Sequence, residues 1–229
     1  MLGTGNSGGR PSGGGSGGSG GSGGGGGTSG GFNTGNVAYP EDGNQTTMEG
    51  SFRDVSKGHW AYHDIEALKT RNIVSGDDTG LFRPEDNTSR EEFLKMLMGA
   101  LGIRQNDTYT VSFDDVSSSD WCYPYIASAV EAGIVNGISE TEFGQGLPIT
   151  REDMAVLCMR ALDYVGKTLE KVSEPVSFID GDNIADYALD SVKAMQTYGV
   201  INGYEDGTFA PKNNAVRAEA AKIINRISQ

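Results

Sequence analysis

Cysteine, histidine and tryptophan occur only twice each in this chain of 229 residues. Cys122 and Cys158, with no CxxC spacing, cannot supply a four-ligand structural zinc site. They read as small buried side chains, with a disulfide between them left open. His59 and His63 stand four residues apart in "HWAYH", yet no third ligand lies near in sequence, so no metal is expected. Cations are scarce as well: 18 Lys and Arg against 31 Asp and Glu give a net charge of −13. That balance argues against a nucleic-acid partner or an anionic membrane surface. No apolar run approaches the ~18 residues of a membrane helix, so no membrane insertion is expected. A Ser-His-Asp set, a phosphate loop and a nucleotide fingerprint are all missing, and the chain is expected to be neither an enzyme nor a cofactor binder.

Residues 1–50 have almost no aliphatic side chains and consist largely of Gly and Ser, as in "GGGSGGSGGSGGGGG". Such a segment cannot offset its chain entropy by burial and is expected to be a disordered tether. Its reach would be on the order of 35–42 Å. Met1 runs straight into it without the basic and apolar regions of a leader peptide. We expect a piece of a longer reading frame, so the missing leader does not place the chain in the cytosol.

The rest of the chain repeats itself. "SFRDVSKGHWAYHDIEALKTRNIVSG", "SFDDVSSSDWCYPYIASAVEAGIVNG" and "SFIDGDNIADYALDSVKAMQTYGVING" align, each ending on Gly76, Gly137 or Gly203. Six residues further on stand Phe82, Phe143 and Phe209, and fourteen further on stand Arg90, Arg151 and Arg217. From each Arg, apolar residues recur at +3, +4, +7 and +10, the stripe of an amphipathic helix. Each unit therefore reads as a helix from the aromatic to about the Gly, a loop, and a second helix opening near the Arg. Ser89 with Glu92, and Thr150 with Asp153, read as capping pairs; Val216 cannot cap, which leaves Asn213 or Asn214 for the third unit. One helix pair cannot bury its own stripe, so three pairs should share a core around a pseudo-threefold axis. The expected fold is all-α: a linker over 1–50, then repeats at 51–111, 112–176 and 177–229.

The three arginines stand where a helix dipole disfavours a cation by about 0.3–1 kcal/mol. Together with the surrounding motifs they identify a family. Phe-x-Asp-Val, a Trp, Gly-Ile-Val-x-Gly and a Thr-Arg-Glu element resemble the S-layer homology domain of bacterial surface proteins. Its Thr-Arg-Ala-Glu element stands here as Ser89-Arg90-Glu91-Glu92, Thr150-Arg151-Glu152-Asp153 and Val216-Arg217-Ala218-Glu219, and "GYEDGTFAP" matches its loop. The resemblance covers residues 51–229. It implies a three-repeat module, outside the cell at the wall, that anchors an exported protein non-covalently. Its partners would be a secondary cell-wall polysaccharide, often bearing a pyruvate-ketal sugar and held in grooves between repeats, and cargo domains upstream.

Carried over residue by residue, the resemblance points to Arg90, Arg151 and Arg217, to Asp54, Asp115 and Asp180, to Trp60 and Trp121, and to Gly76, Gly137 and Gly203. An Arg at a helix N-terminus is suited to a carboxylate held bidentately. An exposed Trp offers a sugar ring a flat face, and the Asp could accept from sugar hydroxyls. Each residue also has a plainer reading: Arg paired with acids such as Glu92 or Asp153, Trp as core, Gly as a conformational need, Asp as a cap or turn support. The repeats are not equal. Tyr187 stands for Trp in the third, and in the second Gln145 replaces the loop Pro while Glu140 and Thr141 replace Asp-Gly. The alternatives are a calcium-dependent docking module, for which the acidic loops lack EF-hand spacing, and a lattice-assembly or protein-docking module that binds no glycan.

Overall fold

The computed structural model describes residues 50–106 and 108–229. The expected tether lies outside the described residues, Gly50 excepted. Six helices follow in order: α1 (Tyr62–Thr70), α2 (Arg90–Leu101), α3 (Tyr123–Glu131), α4 (Arg151–Val165), α5 (Leu189–Thr197) and α6 (Arg217–Ile227). Among the described residues extended pairing is limited to isolated bridges, so the all-α class holds. Two short 3-10 turns, Gly181–Asn183 and Asp186–Ala188, lead into α5 in the unit that has the longer approach to its first helix.

The second helix of each unit starts on the repeated Arg. Ser89 and Glu92 form the full reciprocal capping box of α2. Thr150 Oγ1 accepts from the Asp153 amide at 3.2 Å to cap α4. At α6 the N-cap is Val216, not Asn213 or Asn214. Having no side-chain acceptor, Val216 makes only the other half of the box, its amide donating to Glu219 Oε2 at 3.2 Å.

The first helices end earlier than the glycine reading predicts. They close at Asn72, Gly133 and Gly199, all with left-handed φ, four residues before Gly76, Gly137 and Gly203. The next amide of each, on Ile73, Ile134 and Val200, reaches back to Leu68 O, Ala129 O and Met195 O at 2.8–2.9 Å. That is the six-to-one bond of a Schellman ending, which needs a left-handed residue just before it. An Asn is sufficient in the first unit, which is why a search for Gly misplaces the boundary.

Helix partnership crosses the repeat boundaries. α3 packs on α2, α5 on α4, and α1 on α6, while α2, α4 and α6 pack on one another. Each repeat thus lays its first helix on the second helix of the repeat before it, and the first repeat closes on the third. Phe82, Phe93, Phe143 and Phe209 are among the largest fully buried side chains. Each contributes about 1.5–3 kcal/mol by leaving water.

Backbone hydrogen bonds run around the same ring where the three second helices begin. Thr88 N donates to Ala215 O, Ala215 N to Ile149 O, and Ile149 N to Thr88 O, each at 2.9 Å. All three residues are fully buried, so these polar groups need the partners they have. The Thr88 hydroxyl has no partner there, whereas its counterparts Ile149 and Ala215 are apolar.

Two outcomes follow from this closure. Thr88→Val keeps the shape and removes the unpartnered hydroxyl, so it should raise unfolding stability by about 1 kcal/mol in urea titration. A chain ending at Ala215 should lose hydrogen-exchange protection over α1 as well as α6; retained protection over Tyr62–Thr70 would contradict cross-repeat packing.

Candidate functional site

The loop between the two helices of each unit is built onto the early Asp. Asp54 accepts from the amides of Phe82 and Arg83 at 2.8 and 2.7 Å. Asp115 accepts from Phe143, Gly144 and Gln145 at 2.9, 2.7 and 2.8 Å. Asp180 accepts from Phe209 and Ala210 at 2.7 and 2.8 Å. Left-handed φ at Arg83, Gly144 and Ala210 turns successive amides toward one carboxylate. Burial raises the Asp115 pKa, but three amide donors outweigh it and leave the carboxyl below its ordinary range. The carboxylates are thereby committed to the loop.

Gly76, Gly137 and Gly203 lie under a ring of their own repeat. A Cβ on Gly203 would stand 2.6 Å from both Phe178 Cε1 and Thr208 O, and one on Gly76 2.8 Å from Leu81 O. Only Gly137 also has a left-handed φ. Space, more than φ, is what the three positions share.

The three arginines reach forward into the next unit, around the ring. Arg90 Nε donates to Phe143 O at 3.1 Å and Nη1 to Asp153 at 2.7 Å. Arg151 Nε donates to Phe209 O at 2.9 Å, Nη1 to Glu219 at 2.7 Å and Nη2 to Asn202 O at 3.0 Å. Arg217 Nε donates to Phe82 O at 3.0 Å and, at 3.5 Å, its other nitrogens meet Glu92 and Ser75 O. Their amides are taken too, donating to Leu147 O, Asn213 O and Asp86 O. A cation stands at the dipole's unfavourable end because the neighbouring unit brings it a carbonyl, a carboxylate and an aromatic face. Glu92 and Asp153 do pair with arginines, but with those of the unit before.

Trp60 and Trp121 are not core: they are 53% and 52% exposed. Lys222 Nζ stands 5.3 Å from the Trp60 ring centre and Lys95 Nζ 5.2 Å from that of Trp121, within cation–π range. These lysines occupy the same position, five residues after the Arg; sequence reasoning missed them because the second unit has Val156 there. Tyr187, in the place of Trp, donates its hydroxyl to Asp153 at 2.9 Å and Glu152 at 3.1 Å. Burial first, and those carboxylates next, push its pKa well up.

Three grooves result, each drawing on all three units. One joins Arg217, the loop and α2 of the first unit, and Trp121; Gly76, Phe82, Arg83, Lys95, Trp121 and Arg217 line a cavity of about 380 Å³ there. Another joins Arg151, the loop and α6 of the third unit, and through Lys222 the Trp60 ring. The remaining one joins Arg90, the second unit's loop and α4, and Tyr187. Among the described residues, Cys122 and Cys158 are separate buried thiols, with burial pushing Cys122 up to about 11.

A sequence model of the family described as S-layer homology domain matches residues 51–94, 112–155 and 177–221, more than half of the chain. An amylopullulanase of Thermoanaerobacterium thermosulfurigenes is 37% identical over 174 residues, 76% of this chain and 9% of that protein. An endoglucanase of Bacillus sp. (strain KSM-635) is 33% identical over 176 residues, 77% of this chain and 18% of that protein. An S-layer protein of Bacillus thuringiensis subsp. finitimus is 28% identical over 174 residues, 76% of this chain and 21% of that protein. The chain therefore spans less than a quarter of the length of each.

Asp115→Asn exchanges a charged acceptor of three amides for a neutral one and should cost about 1.5–3 kcal/mol at pH 7. The folded pKa lies below the ordinary 3.8, so this contribution is full above that value and fades as the pH falls through the lowered folded pKa. Urea unfolding of the two proteins should therefore converge in strong acid; a constant difference down to that range would contradict the carboxylate's role.

Proposed function

Because the chain belongs to the S-layer homology domain family, we propose that it anchors a larger exported protein to the bacterial cell wall by holding a secondary cell-wall polysaccharide in its inter-repeat grooves. The family's location is the cell surface, as the S-layer relative illustrates. One observation carries the reading. The same stretch of about 174 residues recurs on proteins named amylopullulanase, endoglucanase and S-layer protein, as a minor part of each. A part shared by proteins of such different names supplies something other than their separate activities, and attachment is common to all three. Catalysis belongs to other parts of such proteins, and the cargo here lies beyond the repeats.

The groove chemistry supports a saccharide ligand that carries an acid group. Trp121 presents a flat apolar face beside Lys95, in a cavity that Arg217 also lines. A sugar ring stacks on the indole while a carboxylate, such as that of a pyruvate ketal, meets the cations. Arg217 then serves both the closure of the three units and the ligand. The aspartates and glycines act through the loop they shape. At a net charge of −13, diffuse attraction to an anionic polymer is not the driving force, and recognition is local.

Co-sedimentation of the full chain with purified Gram-positive cell walls, native and stripped of secondary polysaccharide, tests this. Retention on native walls alone is expected, changing little between about 50 and 200 mM salt. Equal retention on stripped walls would instead favour protein docking or lattice assembly without glycan.

A further inference from the structure

The three grooves share a plan but not an accessibility. The Arg151 guanidinium has bonds on Nε, Nη1 and Nη2, its side chain is 5% exposed, and the Tyr204 ring lies 4.5 Å from its Cζ. Tyr204 is held in place by donating its hydroxyl to Glu219 at 3.1 Å. Arg90 is 7% exposed, pairs with Asp153 at 2.7 Å, and lies with Ile138 against Gly144. Its groove also lacks the lysine, having Val156, and its aromatic, Tyr187, is tied to two carboxylates.

Arg217 is held more loosely and is more open. It is 18% exposed, and its carboxylate partner Glu92 stands 3.5 Å away, against 2.7 Å for the other two pairs. The residue that is Ile138 or Tyr204 in the other grooves is here Asp77. Its carboxylate is engaged within its own loop, accepting from the amides of Thr79 and Leu81, the Thr79 hydroxyl and Arg83 Nε. No ring stands at that position as Tyr204 does over Arg151, and Arg217, Lys95 and Trp121 line the cavity of about 380 Å³ together with Asp77, Asp86 and Glu92.

We infer that the Arg217 groove, where the third repeat meets the first, is the single ligand site of this chain and takes one carboxylate-bearing sugar. The carboxylate replaces Glu92's loose contact on Arg217, Lys95 adds a second cation, and the ring lies on Trp121. The Arg90 and Arg151 grooves are occupied by the protein itself and serve as ties. This inference rests on the wall-anchoring reading above.

Arg217 also donates to Phe82 O, so its removal would confound folding with binding. Surface pairs avoid this. Lys95→Gln with Trp121→Ala, Lys222→Gln with Trp60→Ala, and Tyr187→Phe are compared with the parent full chain, each checked by circular dichroism. Binding to native Gram-positive walls is titrated by co-sedimentation, and the stoichiometry for a pyruvate-ketal hexose is read by calorimetry. The first pair should weaken wall binding about ten-fold or more. The second pair and Tyr187→Phe should stay within about two-fold, with one hexose bound per chain. Equal or larger losses in the second pair or in Tyr187→Phe, or a stoichiometry above one, would overturn the single-groove assignment and leave anchoring standing. A parent chain that native walls do not retain would overturn the anchoring reading, and the groove assignment with it.

Discussion

Everything in this protein depends on closing a ring of three. The backbones at Thr88, Ile149 and Ala215 pass hydrogen bonds around a buried triangle, and one turn outward the three arginines repeat the circuit with their side chains. A peptide group buried at such a junction without a partner would be costly, so the three units must meet in one register or not at all. The first helices follow the same sense, each lying on the second helix of the preceding unit. Chain order and packing order are thus offset by one helix, and no repeat holds its own two helices together as a closed unit.

The arrangement explains a cation at the start of three helices. A buried arginine is tolerated only when its donors are met, and the neighbouring loop supplies the carbonyl of Phe143, Phe209 or Phe82 together with an aromatic face. The early aspartates make that carbonyl available, since they hold the loop by its amides. A chain of dependence runs from Asp through loop to Arg and so from one unit to the next. The grooves are a by-product of this joinery: where the loop of one unit meets the helix of another, a cation is already present. What stands beside each arginine differs at one variable position, Asp77, Ile138 or Tyr204, the last with its ring over Arg151.

Much of the framework around the candidate site was legible in the chain. The recurrence of Arg90, Arg151 and Arg217 at a fixed distance from Gly76, Gly137 and Gly203 marks both register and grooves, and the apolar stripes mark α2, α4 and α6. Capping at Ser89 and Thr150 was legible because it depends on residues three apart. The first-helix endings were not, because a left-handed Asn72 does in one unit what Gly133 and Gly199 do in the others. Lys95 and Lys222 escaped notice because Val156 breaks their pattern, and their meaning lies in tryptophans brought over from the following repeat.

The sequence by itself determined what each repeat is: helix periods, loop glycines, capping residues and a cation in the first turn all act within a few residues of one another. Only the tertiary structure decided which repeat each of these serves. An apolar stripe is non-directional and would accept either neighbour, so the choice falls to hydrogen bonds between segments tens of residues apart, such as Arg217 to Phe82 and Thr88 to Ala215. The exposure of one arginine and the covering of two others follow from that choice, because each depends on a loop residue supplied by a different unit.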